Sequence, residues 1–110
     1  MHKRTKALRF DRKTAQKIYD RDGGCIFCKI GFKMPKEPQM YFDIMHIVNR
    51  SQGGLGVERN GVVGCRHHHQ MLDNGNKGDR SKMLFYIKTY MKELYPDWNE
   101  DELYYKKENK

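Results

Sequence analysis

A small α+β domain is what the sequence predicts: two short antiparallel strands and a following short helix, flanked by an N-terminal helix and a longer C-terminal one. Three observations point to it. Apolar, β-prone runs at 41–48 and 61–65 are separated by a polar loop, 49–60, that holds Gly53, Gly54 and Gly56. Apolar residues recur at helical spacing before and after this hairpin. Two short Cys/His knuckles, Cys25-x-x-Cys28 and Cys65-x-x-His68, give distant parts of the chain a reason to meet at a metal ion.

Composition makes such an ion useful. The chain has 110 residues, of which 37% are hydrophobic and 33% charged, with a mean hydropathy of -0.98. A chain of this size buries roughly 65% of the surface its unfolded form exposes, so the expected core is thin. An odd count of three cysteines and no N-terminal apolar run argue against a secreted disulfide scaffold and for a reducing, cytoplasmic setting. No apolar stretch approaches the ~20 residues a bilayer span needs, so no membrane role is expected. The formal charge of +8 favours a polyanionic partner, nucleic acid before acidic lipid.

In chain order, residues 1–10 form a basic N-terminal arm, too dense in Lys and Arg to pack, with at least the first eight expected to be mobile. Residues 11–110 form the single domain. Asp11 is placed to cap a helix in which Ala15, Ile18 and Tyr19 share a face, ending at Gly23-Gly24. A knuckle and irregular loop follow over 25–40, then the hairpin, then a short helix over 67–73 stopped by Asn74-Gly75. Ser81 is placed to cap the C-terminal helix, about 81–94, whose stripe of Met83, Leu84, Ile87, Met91 and Leu94 reads as packing, with Pro96 closing it. Trp98, Leu103, Tyr104 and Tyr105 are expected to fold back on the body before a fraying Lys-rich end.

The knuckles predict a structural zinc. With three cysteines the fourth ligand cannot be sulfur, and the two-residue spacing selects His68 over its neighbours His67 and His69, giving Cys25, Cys28, Cys65 and His68. A redox C-x-x-C, plain buried cysteines and ligation by His67 are the competing readings. Beside the zinc ligands, His69 and Asp73 stand four apart on the short helix, so they share a face and can hold one divalent ion.

Asp43-Ile-Met-His46-Ile-Val-Asn-Arg50-Ser-Gln-Gly53-Gly54, then Asn60, then Cys65-x-x-His68-His69-x-x-x-Asp73, closely resembles the HNH endonuclease family in the form common among phages and their bacterial hosts. The similarity covers about residues 14–75, with the core motif over 25–75. It implies a ββα-metal (His-Me) finger with a structural zinc. It further implies a metal-dependent DNA endonuclease that hydrolyses or nicks phosphodiester bonds to leave a 3′-hydroxyl and a 5′-phosphate. His46 matches the family's general base, Asn60 the residue whose hydrogen bonds fix the loop and thereby the histidine ring, and His69 and Asp73 the helix ligands of the catalytic cation (Mg²⁺, Mn²⁺, Ni²⁺ or Zn²⁺). Phage packaging proteins become candidate partners.

One position departs from the pattern. Just before the base the family commonly places a third metal ligand, and here that place is Met45, whose thioether is too soft for Mg²⁺. Asp43 is a doubtful substitute, because it lies ~6.6 Å further along the strand and suits an indirect role better. Arg50 and Arg59 flank the predicted site and are candidate DNA-phosphate contacts. Without a recognition helix, binding is expected mainly through the DNA backbone, with low sequence specificity. The alternative expectation is a non-catalytic, zinc-stabilised nucleic-acid-binding accessory protein.

Overall fold

Short-range rules explain most of the helices in the computed structural model, which describes residues 3–75 and 78–106; the first two residues of the expected arm and the last four of the Lys-rich end lie outside it. The Asp11 carboxylate accepts the Thr14 N–H at 2.7 Å and so starts the helix Arg12–Asp22, which Gly23 ends at φ +64. A left-handed residue there lets its N–H bond back to the Tyr19 carbonyl, a conformation that costs an L-residue more than glycine. The helices are α1 (Lys3–Leu8), α2 (Arg12–Asp22), α3 (Ile26–Lys29), α4 (Arg66–Asn74) and α5 (Asp79–Leu94), and the strands are β1 (Phe42–His46) and β2 (Gly61–Cys65). The strands pair antiparallel, with Phe42 opposite Cys65 and His46 opposite Gly61. No helix among the described residues is long and apolar enough to cross a membrane.

The order β1, loop, β2, α4 reproduces the expected α+β arrangement, with four differences. First, β1 covers 42–46 rather than 41–48: Tyr41 is exposed, while Ile47 and Val48 leave the ladder, turn into the core and bond to Asn60. Second, α5 begins at Asp79, after Gly78, and Ser81 caps nothing. Third, only Met83, Ile87 and Met91 of the α5 stripe are buried; Leu84 is partly buried and Leu94 is exposed. Fourth, Lys3–Leu8 of the N-terminal arm form a helix. Its charged residues face water, but Leu8 is 2% exposed and anchors the segment. Burying one leucine contributes ~2 kcal/mol, against an ordering cost of about 1–2 kcal/mol for each residue fixed, so the backbone hydrogen bonds of the segment to the rest of the fold must share the work.

The core lies between the hairpin, α4 and α5, with Phe27, Val62, Leu72, Met83, Ile87, Met91, Trp98 and Leu103 buried together. The predicted return of the C-terminal segment is present: Trp98 donates to the Arg59 carbonyl at 2.8 Å, and Tyr104 bridges to Gly54. A buried charge supplements this core. Asp22, 1% exposed, takes two hydrogen bonds from Arg21 and one each from the Val63 N–H and the Tyr90 hydroxyl, while Arg21 also donates to the Glu58 and Gly61 carbonyls. A fully bonded carboxylate of this kind ties α2 to β2 and α5.

Candidate active site and metal centre

Cys25 and Cys65 occupy equivalent places, each capping the first turn of a short helix. The Cys25 sulfur accepts the Cys28 N–H and the Cys65 sulfur accepts the His68 N–H, both at 3.4 Å. The x-x spacing then brings the second ligand of each knuckle over the same helix end. The His68 Nδ1 lies 3.4, 3.6 and 3.3 Å from the sulfurs of Cys25, Cys28 and Cys65, and the Cys28 and Cys65 sulfurs are 3.8 Å apart. Tetrahedral bonds of about 2.3 Å to sulfur and about 2.0 Å to nitrogen require edges of about 3.8 Å (S–S) and about 3.5 Å (S–N), which these distances match. His68 is fully buried and its Nε2–H donates to the Phe32 carbonyl, so in the neutral ring the Nδ1 lone pair faces the thiols. These four side chains can hold a structural metal ion such as zinc. Among the described residues they are the one group of three or more His, Cys, Asp or Glu side chains that converge closely enough to hold an ion. His67 points elsewhere, its Nε2 3.0 Å from the Lys33 carbonyl.

His46 ends β1 in a half-buried position. Its Nε2 lies 2.9 Å from the Leu8 carbonyl, and the Phe10 ring covers it with centroids 4.3 Å apart. A carbonyl only accepts, so the neutral ring carries its proton on Nε2 and keeps a lone pair on Nδ1. Burial holds the imidazole below its ordinary pKa, with the charges of Arg50 and His69 acting the same way and the Leu8 hydrogen bond opposing them. Nothing in the spacing of the motif signals this support. The signal available in the sequence is that Leu8 and Phe10 are large apolar residues inside an otherwise basic run.

Asn60 closes the loop from within. It is fully buried; its side-chain oxygen accepts the Val48 N–H at 2.8 Å, and its side-chain amide donates to the carbonyls of Leu55 at 2.8 Å and Val48 at 3.2 Å. Its own carbonyl accepts the Ile47 N–H at 3.0 Å. The residue after His46 and the two ends of the loop are therefore held by one side chain and its peptide, which restricts the direction in which the histidine leaves the strand.

On α4, the His69 Nδ1 lies 3.0 Å from an Asp43 carboxylate oxygen and its Nε2 lies 3.6 Å from an Asp73 oxygen. The structure thus brings His69 and Asp73 together as their spacing predicts. Asp43 sits against the other ring nitrogen, where it cannot join them on one ion. It also receives the Arg66 guanidinium, and the His69 and Arg66 contacts hold its carboxyl below the usual range. The two ring nitrogens of His69 thus face two carboxylates, Asp43 on one side and Asp73 on the other. Met45 adds no ligand: it is 1% exposed, and its sulfur lies over Gly64, where an added Cβ would come within 2.5 Å of it.

His46, His69, Arg50, Asp73 and Asn49 line one cleft of about 200 Å³. Arg50 is exposed at its edge. Arg59 is not in the cleft, contrary to the expectation that it flanks the site; its guanidinium is 3.0 Å from Asp97 and 4.7 Å from the centre of the Tyr95 ring. The nearby carboxylate and aromatic face of the C-terminal segment outcompete solvent for it. No family model, curated protein or solved structure matches the chain.

Proposed function

We propose that this protein is a metal-dependent HNH-type endonuclease that hydrolyses or nicks DNA phosphodiester bonds. The observation that carries the reading is the state of His46: one nitrogen committed to the Leu8 carbonyl, burial favouring the neutral ring, and the residue lining a cleft with Arg50, His69 and Asp73. A neutral imidazole so held is a general base at physiological pH. Nδ1 takes the proton from a water as its oxygen attacks phosphorus, the bond from phosphorus to the 3′-oxygen breaks, and that oxygen takes a proton from solvent water to leave as the 3′-hydroxyl while the attacking oxygen stays on the 5′-phosphate. Asn60 keeps the base aimed, and Arg50 offers paired N–H donors to the phosphate oxygens. A divalent cation between His69 and Asp73 would supply charge neutralisation at the phosphate and the departing oxygen, with waters completing its shell.

The charge of +8 and the resemblance support DNA as substrate, bound through its backbone with low sequence specificity in the cytoplasm of a bacterium, the gene belonging to phage or host. Phage packaging proteins are the partners this reading favours. Burial of Met45 favours a second reading, because β1 then lacks the family's third ligand: a zinc-stabilised accessory protein that binds nucleic acid and cuts nothing. Supercoiled plasmid separates the two. Nicking with added Mg²⁺, Mn²⁺, Ni²⁺ or Zn²⁺, abolished in His46→Ala without loss of DNA affinity, is the expected result. Salt-sensitive binding with no nicking under any ion would select the accessory protein.

A further inference from the structure

The arginines divide by what they touch. Arg21, Arg59 and Arg66 are paired with carboxylates, and Arg80 donates to the Leu72 carbonyl. Arg9 and Arg50 are different: among the described residues neither guanidinium has a hydrogen-bond or carboxylate partner, and both line one groove. That groove, about 480 Å³, is bounded by Arg9, Phe10, Tyr19, His46 and Arg50, with the Asp43 carboxylate, already bonded to Arg66 and His69, also on its wall. It shares Ile44, His46, Arg50 and His69 with the smaller cleft that ends at Asp73 and Asn49. The shared residues mark the junction, so the continuous channel runs from Arg9 and Tyr19 at one end, past His46 and Arg50, to Asp73 at the other.

Arg9 reaches this channel from a fixed base. On its N-terminal side the Leu8 carbonyl is held by His46 and the Ala7 carbonyl accepts the Gly56 N–H at 2.9 Å; on its C-terminal side the Phe10 ring packs against His46, tilted by 41°. Beneath it Gly56 is so close that a Cβ would lie 2.2 Å from the Arg9 carbonyl oxygen. The main chain is therefore clamped while the side chain stays exposed, an arrangement that lowers the ordering cost of gripping an anion.

We propose that Arg9 is a phosphate-binding residue of the site. It would engage a phosphodiester neighbouring the one at His46 on the same strand, so that residues 3–10 form a wall of the substrate groove rather than a mobile arm. The proposal rests on the nuclease reading for the identity of the substrate, but its own test is binding. Zinc-loaded full-length protein is titrated into a fluorescein-labelled 20-base-pair duplex, without added divalent ions, over a range of salt. Arg9→Gln should weaken binding about tenfold at low salt and reduce the slope of log K against log[salt] by about 1. Arg12→Gln removes the same charge from an exposed helix position outside the groove and should leave the slope nearly unchanged. Because a neighbouring phosphate is held alike in ground and transition states, cleavage by Arg9→Gln should show a raised KM with kcat near wild type. Equal losses in the Arg9 and Arg12 variants, or no loss in either, would overturn the assignment while leaving the nuclease reading intact. Failure of the wild type to bind the duplex would overturn both.

Discussion

Replacing Asn60 by aspartate tests the loop clamp with a change of one atom type. The carboxylate of Asn60→Asp can still accept the Val48 N–H, but the amide that donates to the Leu55 and Val48 carbonyls at 2.8 and 3.2 Å is gone. Two carbonyl oxygens would then face a fully buried anion. The fold can restore a donor only by protonating the aspartate, so its folded pKa must rise above the unfolded value of about 3.9. Since the folded state then binds more protons than the unfolded one, stability falls as pH rises between those two values. The slope is at most about 1.4 kcal/mol per pH unit, so from pH 5.5 to pH 8 the variant should lose up to about 3 kcal/mol relative to wild type. For a domain of this size that lowers Tm by about 12 °C. At pH 5.5 the protonated form lacks the longer contact, about 1 kcal/mol, and holding the proton above the unfolded pKa costs about 2 kcal/mol more. Thermal unfolding followed by circular dichroism, with wild type and variant compared at each pH so that the pH response of the metal site cancels, reads the difference. A Tm deficit that is the same at pH 5.5 and pH 8 would refute the geometry assigned to Asn60.

Three other outcomes follow from the same coordinates. Protein purified without added metal should carry one zinc per chain by elemental analysis, and Cys65→Ser or chelation should unfold the domain, because structural zinc contributes about 10–16 kcal/mol of apparent folding energy; a metal-free chain with an unchanged spectrum would count against the centre. His46 is held below its ordinary pKa, so the acid limb of kcat/KM, and the NMR titration of the ring, should fall below about 6.5. The sign for stability is the same: the neutral folded ring destabilises the protein as pH falls through the unfolded pKa, and a limb above that value would contradict the burial. Finally, Met45→Asp should not supply the missing ligand but place an unpaired carboxylate at a site 1% exposed, lowering stability by about 3 kcal/mol or more and leaving metal dependence unaltered; tighter metal binding by this variant would show that the side chain can swing toward His69.

What was legible in the sequence is what short-range geometry determines. The Asp11 cap, the Gly23 stop, the two strands and the x-x spacing of the knuckles each involve residues within a turn of one another, and periodicity reports them directly. Helical periodicity gives no sign of the buried Arg21–Asp22 pair, because it says nothing of a helix that packs on two sides. Arg59 reads as a site residue because its neighbour in sequence is Asn60; its side chain instead turns to Asp97, 38 residues on. Leu8 and His46 are likewise 38 apart, and no rule of spacing links a backbone carbonyl in a basic run to a histidine at the end of a strand.

These long-range contacts share a target. The loop 49–60 decides where His46 points, and it takes hydrogen bonds from both ends of the described chain: the Gly56 N–H to Ala7 at 2.9 Å, the Leu55 N–H to Leu103 at 2.8 Å, and the Tyr105 N–H to Gly53 at 2.7 Å. The cluster of Cys25, Cys28, Cys65 and His68 sits at the opposite end of the hairpin, where Cys65 pairs with Phe42. A thin core would leave a twelve-residue, glycine-containing loop free to sample many conformations. Here the hairpin is pinned by thiols and His68 at one end and by Ala7, Leu103, Tyr105 and Asn60 at the other. The N-terminal segment thus serves two ends at once: it carries exposed positive charge, and its Leu8 carbonyl sets which nitrogen of His46 holds the proton, as the proposed role of that ring requires.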